Sequence, residues 1–223
     1  MVAIFVLAVF LSVLCIDFVV LRVQGRYHPA FEPSLSQYEF PSYDGNVITI
    51  PSNLFFSKGH TWLKKKKDGL LEIGIDPFGT TALGLLSIKK CAEAGEVIKR
   101  GSLIFEGSYG NQTVKFLSPV NGIVKSINAD VIGKKITNPY KDWGVQIISK
   151  DSPENGDFFF TGSEALNWMK NEFIKLKGFI TDHSPKVELA GETMYDGGLL
   201  SNDAVALLVD KSVNDFEKEF LSL

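Results

Sequence analysis

The chain has 223 residues and a formal net charge of −3 at pH 7. A chain of this length can bury a substantial core in one domain or two. The slight acidic balance argues against general nucleic-acid binding, which needs a concentrated excess of lysine and arginine to neutralise phosphates. The two cysteines, Cys15 in an apolar run and Cys91 near a predicted surface turn, lie in different surroundings, so we expect neither a disulfide nor a metal site from them.

The N-terminus is an apolar run. Residues 2–21 carry one charge, that of Asp17. A helix of that length, rising about 1.5 Å per residue, matches the apolar thickness of a bilayer. We therefore predict a single-pass transmembrane anchor over residues 1–23. Arg22 and Arg26 follow the run and nothing basic precedes it, so the positive-inside rule places the globular domain in the cytoplasm and the N-terminus outside.

A linker is predicted between this run and the domain. Residues 24–54 are rich in Pro, Ser, Tyr and Asn and show no sustained hydrophobic period, which is typical of an extended linker. Aromatic residues are unusual in a free linker, so the alternative is that residues 29–33 and 41–43 dock against the domain. A signal peptide cleaved after Gly25 is the alternative to an anchor, but such peptides normally begin with a positive region that this sequence lacks.

Residues 55–150 show the turn signals and alternating segments of β-structure. Asp68-Gly69 separates two such segments and is a strong signal for a two-residue hairpin. A short helix is predicted over residues 78–83, bracketed by an N-cap, a proline at the first helical position and a terminal glycine: Asp76, Pro77 and Gly84. We therefore predict a mainly β domain, either a small sandwich or a barrel.

A second hairpin is predicted between Gly101 and Gly122. Apolar segments lead into and out of a central turn cluster, and a further turn follows at Ser118–Gly122. The central turn places Gly110-Asn111 at an exposed tip. Neither residue has a reactive side chain, which limits what chemistry this tip can perform.

This hairpin resembles the lipoyl-bearing hairpin of the glycine cleavage system H protein and, more distantly, of lipoyl and biotinyl carrier domains. The resemblance extends in register over residues 55–149. It implies an H-protein-like β-sandwich, also called a barrel-sandwich hybrid. The segments that carry it are His60-Thr61-Trp62, Ile73-Gly74-Ile75-Asp76-Pro77-Phe78, Ala82-Leu83-Gly84, Ala94-Gly95-Glu96-Val97, Pro119-Val120-Asn121-Gly122 and Asn138-Pro139-Tyr140 with Trp143.

The resemblance also implies a site. In the family, a lysine at the hairpin tip carries lipoate through an amide bond. Counting back from Pro119 and counting forward from Gly101 both put that position at Asn111. An asparagine amide is not a nucleophile and cannot accept a lipoyl group, so we expect no lipoate and no other cofactor. The nearest lysine, Lys115, lies on the outgoing strand and is the alternative attachment site.

The C-terminal part adds two predicted helices. Residues 161–181 are predicted to form an amphipathic helix, which either docks on the domain or recruits a partner. Residues 182–223 are predicted to be a loop followed by a short helix that Ser212 caps. The apolar positions of these two helices are Leu166, Met169, Phe173, Leu176 and Ile180 in the first, and Val213, Phe216 and Phe220 in the second.

Catalytic motifs are weak in this sequence. The histidines His28, His60 and His183 are scattered and match no metal-ligand spacing, so no metal site is predicted. His60, beside Trp62, is interpreted as a structural residue at the start of a strand. The glycines of residues 107–110 have the spacing of neither a nucleophile elbow nor a phosphate loop. We therefore predict that the protein is not an enzyme.

These features together favour a membrane-anchored, H-protein-like module without a lipoyl arm. It would act as a scaffold or docking subunit for a protein partner that the sequence does not identify. The alternative is a lipoyl carrier of a glycine-cleavage or related redox system, modified at a non-standard lysine such as Lys115. Likeness of fold alone does not transfer a function whose reactive group is missing.

Overall fold

The computed structural model describes residues 39–41, 47–84, 86–155, 158–183, 205 and 210–223. The apolar run 2–21, on which the predicted anchor rests, lies outside these residues. Among the helices that are described, none combines the length and the apolar character needed to cross a membrane.

Strands dominate the described residues up to Phe160, and two longer helices follow. The strands are β1 Glu39–Pro41, β2 Val47–Thr49, β3 Phe55–Ser57, β4 Thr61–Lys65, β5 Leu71–Ile75, β6 Ser87–Cys91, β7 Val97–Ile98, β8 Leu103–Tyr109, β9 Gln112–Leu117, β10 Gly122–Ile127, β11 Trp143–Ile148 and β12 Phe159–Phe160. The helices are α1 Pro77–Leu83, α2 Gly162–His183 and α3 Asp210–Phe220, and Pro153–Asn155 form a 3₁₀ turn.

Two antiparallel sheets form the body of the domain. The larger has the order β12-β3-β4-β5-β11-β10-β7 and the smaller the order β6-β8-β9. The sheets meet face to face at Gly144 of β11, where the buried ring of Phe105 from β8 fills the space that a side chain would occupy. This arrangement confirms the predicted mainly β sandwich.

The short helix α1 begins where the sequence predicts. Asp76 is the N-cap, and its Oδ1 accepts a hydrogen bond from the backbone N–H of Gly79 at 3.1 Å. Pro77 occupies the start of the helix, where its missing N–H would have had no intrahelical partner. Gly84 ends the helix with a positive φ of 68°, a conformation that a residue with a Cβ rarely adopts.

The added helices bury the predicted apolar faces. All five predicted positions of α2 and all three of α3 are buried, which confirms both amphipathic patterns. The predicted cap of α3 is wrong. Ser212 is buried and lies inside the helix, because the backbone is already helical from Asp210. The loop predicted before α3 falls almost entirely outside the described residues.

Two further expectations change with the structure. Within the stretch predicted as a linker, β1 and β2 pair antiparallel, and Ile50 and Leu54 are buried in the core. The last residues of that stretch are therefore part of the domain, whereas residues 29–33 and 42–43, for which docking is the alternative, lie outside the described residues. Cys91 is not at the surface: its side chain is 6% exposed, and burial raises the pKa of its thiol to about 12.

Close packing at the centre of the large sheet depends on a glycine. Trp62 of β4 lies opposite Gly74 of β5, and a Cβ at Gly74 would be 2.5 Å from the indole carbon Cζ2. The indole cannot easily move away, because its Nε1–H donates to the carbonyls of Ile75 and Pro139 at 3.1 and 2.6 Å. Trp62 is 1% exposed.

We predict that Gly74→Ala lowers the free energy of unfolding by about 1–3 kcal/mol, the usual effect of overpacking a core. Urea unfolding followed by tryptophan fluorescence measures this change. Gly178→Ala is the matched control, since Gly178 lies on α2 with nothing near its missing Cβ. That substitution should leave the stability unchanged or raise it by up to about 1 kcal/mol. Equal effects of the two substitutions would contradict the packing argument.

Candidate functional site

The hairpin β8–β9 presents the tip that the sequence predicts. Tyr109 pairs with Gln112, and their side chains close the turn through a hydrogen bond of 2.7 Å. Gly110 has a φ of 53°, which the turn requires and glycine accommodates readily. Gly110 and Asn111 are both exposed. The residue at the tip is therefore accessible to another molecule, and it is an asparagine.

Lys115 is placed differently. It lies in the middle of β9, roughly 13 Å along the strand from Asn111 at about 3.3 Å per residue. Across the hairpin it pairs with Glu106. Its backbone N–H donates to the Glu217 carboxylate of α3 at 2.7 Å. The side chain of Lys115 is exposed, but it belongs to the flank of the hairpin, beside an added helix.

An aromatic cluster joins the added helices to the domain. Phe78 of α1 is its centre, with ring centroids 5.1 Å from Phe173 of α2 and 5.4 Å from Phe220 of α3. Phe179 and Phe216 complete the set, at 6.1 Å from each other. Aromatic pairs at such separations stabilise by about 0.5–1.5 kcal/mol beyond area burial. The two helices are thus packed against the domain as part of its core.

His60 lies at the other side of Phe78 and is fully buried. Its Nδ1 is 2.9 Å from Oδ2 of Asp76. Its ring stacks between Phe78 at 3.8 Å and Trp168 of α2 at 5.0 Å. Its Nε2 is 3.8 Å from Oε2 of Glu172 on α2, which is too long for a hydrogen bond, so this contact is one of charge alone.

These contacts shift two pKa values in opposite directions. Burial acts to lower the pKa of His60, but the Asp76 and Glu172 carboxylates outweigh it and raise that pKa above its usual value. Burial acts to raise the pKa of Glu172, but His60 and the Lys175 ammonium, 2.9 Å away, lower it. The two carboxylates therefore stabilise the protonated form of the imidazole against the effect of burial.

The sequence predicts a structural role for His60 but indicates neither of its acidic partners. It identifies Asp76 as a helix cap, and nothing in the spacing between Asp76 and His60 indicates contact. Glu172 lies on a different element and could not be connected to His60 before the helix was docked. The one available signal is Glu172 itself, an acidic residue on the face of α2 that is otherwise apolar and buried. Because buried carboxylates are almost always paired, its position indicates a basic partner.

The other histidines stay apart from this group. His28 lies outside the described residues, and His183 ends α2 with its Nε2 at 3.9 Å from Asp215 of α3. Across the described ranges, no group of three or more His, Cys, Asp or Glu residues is arranged to hold a metal ion.

Comparison with known proteins places this sequence in a family. The sequence model of the glycine cleavage H-protein matches residues 54–172, just over half of the chain. The chain belongs to the glycine cleavage H-protein family. The matched region contains both sheets from β3 onward and the first half of α2. The N-terminal run and α3 lie outside it.

Individual H proteins give similar alignments. The chain is 29% identical to the probable glycine cleavage system H protein of Pyrococcus furiosus over 109 residues, which is 48% of this chain and 78% of that protein. It is 33% identical to the H protein of Oceanobacillus iheyensis over 116 residues, covering 48% and 87%. The crystal structure of the Mycobacterium marinum H protein is similar at 22% identity with a TM-score of 0.47, covering 53% of this chain and 98% of the other.

The raised pKa of His60 makes the stability of this H-protein family member depend on pH. Because the folded-state pKa lies above the ordinary 6.5, the stabilisation from protonated His60 is complete below pH 6.5 and is lost as the pH rises through the raised value. We predict that the free energy of unfolding falls as the pH increases above 6.5.

His60→Asn should flatten this dependence, and asparagine tolerates the positive φ of 55° at this position. Urea unfolding at a series of pH values from 6 to 9 measures the slope. Thr113→Asn, at an exposed position of β9 that does not titrate, is the control and should keep the wild-type slope. An unchanged slope in His60→Asn would show that another group causes the effect.

Proposed function

We propose that this protein is a membrane-anchored H-protein family member that carries no lipoyl group and serves as a scaffold or docking subunit of a protein complex. It performs no catalysis of its own. The observation that carries the proposal is Asn111 at the exposed tip of the β8–β9 hairpin, where the family resemblance expects a lysine.

The chemistry of the tip supports this reading. Attachment of lipoate needs an amine nucleophile, whereas the nitrogen of an asparagine amide is conjugated with its carbonyl and is not nucleophilic. Lys115 offers an amine, but on the hairpin flank, where the backbone is hydrogen bonded to Glu217 of α3. A modifying enzyme that recognises an exposed turn would find Asn111 and not a lysine.

The parts of the chain beyond the matched family region support a role in contact. The apolar run 2–21 has the length of a membrane span, and Arg22 and Arg26 follow it. Helix α3 is packed on the domain through Phe216 and Phe220. With no reactive group at the tip, the surfaces of the domain are what remains for function.

A second candidate is a lipoyl carrier of a glycine-cleavage or related redox system. Family membership and the relatives named glycine cleavage system H protein favour it. Because position 111 is an asparagine, a carrier function requires lipoylation of a lysine elsewhere, and Lys115 is the nearest lysine.

Lipoylation in vitro separates the two candidates. Purified wild-type protein, Asn111→Lys and Lys115→Ala are incubated with lipoate, ATP and a lipoate ligase, and their intact masses are measured. We predict no addition to wild type or to Lys115→Ala, and one lipoyl group on Asn111→Lys because that change restores an exposed amine at the tip.

Labelling of wild type that Lys115→Ala abolishes would establish the carrier function instead. Failure of Asn111→Lys to accept lipoate, alongside a known H protein that does, would overturn the assignment of position 111. Circular dichroism of each variant checks that the fold is unchanged.

The membrane part of the proposal has its own test. We predict that the full chain stays in the membrane fraction after alkaline carbonate extraction, and that external protease leaves the domain intact in sealed cells. A variant with aspartate in place of Val6, Phe10 and Val13 should move to the soluble fraction, because charged residues at the centre of a span cost about 3 kcal/mol each. Release of the wild type by carbonate would contradict an anchor.

A further inference from the structure

A small cavity opens at the base of the β8–β9 hairpin, at the end opposite to Asn111. Its volume is about 280 Å³. Apolar side chains of Pro119, Phe158, Phe159 and Leu223 line it, and two cationic side chains, Lys58 and Arg100, border it. Ligand sites combine in this way a mostly apolar lining with a few polar groups that fix orientation.

Arg100 is held in place at this cavity. Its Nε–H donates to the carbonyl of Pro119 at 2.8 Å, and its guanidinium carbon lies 4.3 Å from the ring centroid of Phe158. Its backbone N–H donates to Oδ1 of Asn121 at 3.0 Å. A cation over an aromatic face is attracted by the ring, and this fixes the plane of the guanidinium.

The outer edge of that guanidinium is available. Within the described ranges, no carboxylate lies within 4 Å of Arg100 or Lys58; the lysines that do have one are Lys65, Lys66, Lys89 and Lys175, and other described lysines such as Lys64 and Lys125 resemble Lys58 in this respect. The two terminal NH₂ groups of Arg100 likewise have no acceptor among the described residues. A planar pair of donors of this kind matches a carboxylate, which it binds through two parallel hydrogen bonds.

The apolar wall is unusually open to solvent. Phe158 is 60% exposed and Leu223 is 43% exposed, although both border the cavity. A ligand with an apolar body would cover them, while its acidic group met Arg100 and Lys58. The cavity volume is near the lower end of the range for ligand pockets, roughly 300–1,000 Å³, so the ligand is small.

We propose that this cavity binds a small monocarboxylate with an apolar body, its carboxylate on Arg100 and Lys58 and its body against Phe158 and Leu223. The site is separate from the hairpin tip and does not rest on the absence of lipoate.

The probe for this proposal is 3-phenylpropionate, with 3-phenylpropionamide as its uncharged match. The full chain is kept in lipid nanodiscs, and saturation-transfer NMR titrations are compared with empty nanodiscs. We expect saturable binding of the acid and at least ten-fold weaker binding of the amide. Arg100→Gln should weaken binding of the acid about ten-fold or more, since a charge-assisted hydrogen bond is lost.

Two further variants keep the test decisive. Phe158→Ala changes an exposed ring and should weaken binding several-fold without altering the circular dichroism spectrum, so it serves even if Arg100→Gln folds poorly. Lys125→Gln, at an exposed lysine of β10 away from the cavity lining, should bind as wild type does. Absence of saturable binding, equal binding of acid and amide, or wild-type binding by Phe158→Ala and Arg100→Gln would each overturn the proposal.

Discussion

The carboxylate of Asp76 connects elements that are far apart in the sequence. One oxygen accepts the N–H of Gly79 and starts α1, and the other bonds the ring of His60. The backbone N–H of Asp76 also donates to the carbonyl of His60 at 3.1 Å. Burying this carboxylate without partners would cost much free energy, so its hydrogen bonds to Gly79 and His60 stabilise the folded state. Through His60 the same carboxylate acts on Glu172, and so on the position of α2.

The consequences of that connection reach the carrier-type hairpin. Once α1 and α2 are fixed, Phe78 of α1 and Phe179 of α2 present aromatic surface against which α3 packs. Helix α3 then lies beside β9, an edge strand of the smaller sheet, and Glu217 accepts the N–H of Lys115. An uncovered edge offers backbone groups to other chains, and a helix over it removes that hazard. The hairpin is therefore supported along its flank, while its tip stays exposed.

Much of this fold could be predicted from local signals. Asp76, Pro77 and Gly84 bracket α1 because capping and φ preferences act within a few residues. The tip at Gly110-Asn111 follows from turn chemistry, and the buried faces of α2 and α3 follow from their period. The sequence wrongly predicts a surface position for Cys91 and a capping role for Ser212, because burial and the first residue of a helix depend on tertiary packing. The group of His60, Asp76 and Glu172 could not be predicted, since it joins three elements whose approach no local pattern specifies.

The cavity at Arg100 could not be predicted from the sequence for the same reason. Phe158 and Pro119 are far apart in the chain and line one cavity only after the domain has folded.

The central claim is that an H-protein fold is retained here without its acyl-carrying group. The most direct measurement is the intact mass of the protein purified from its native host, followed by peptide mapping of every lysine. We predict the mass of the polypeptide, allowing for N-terminal processing, with no lipoyl addition at any lysine. A mass increment equal to a lipoyl group, mapped to Lys115 or to another lysine, would contradict the account.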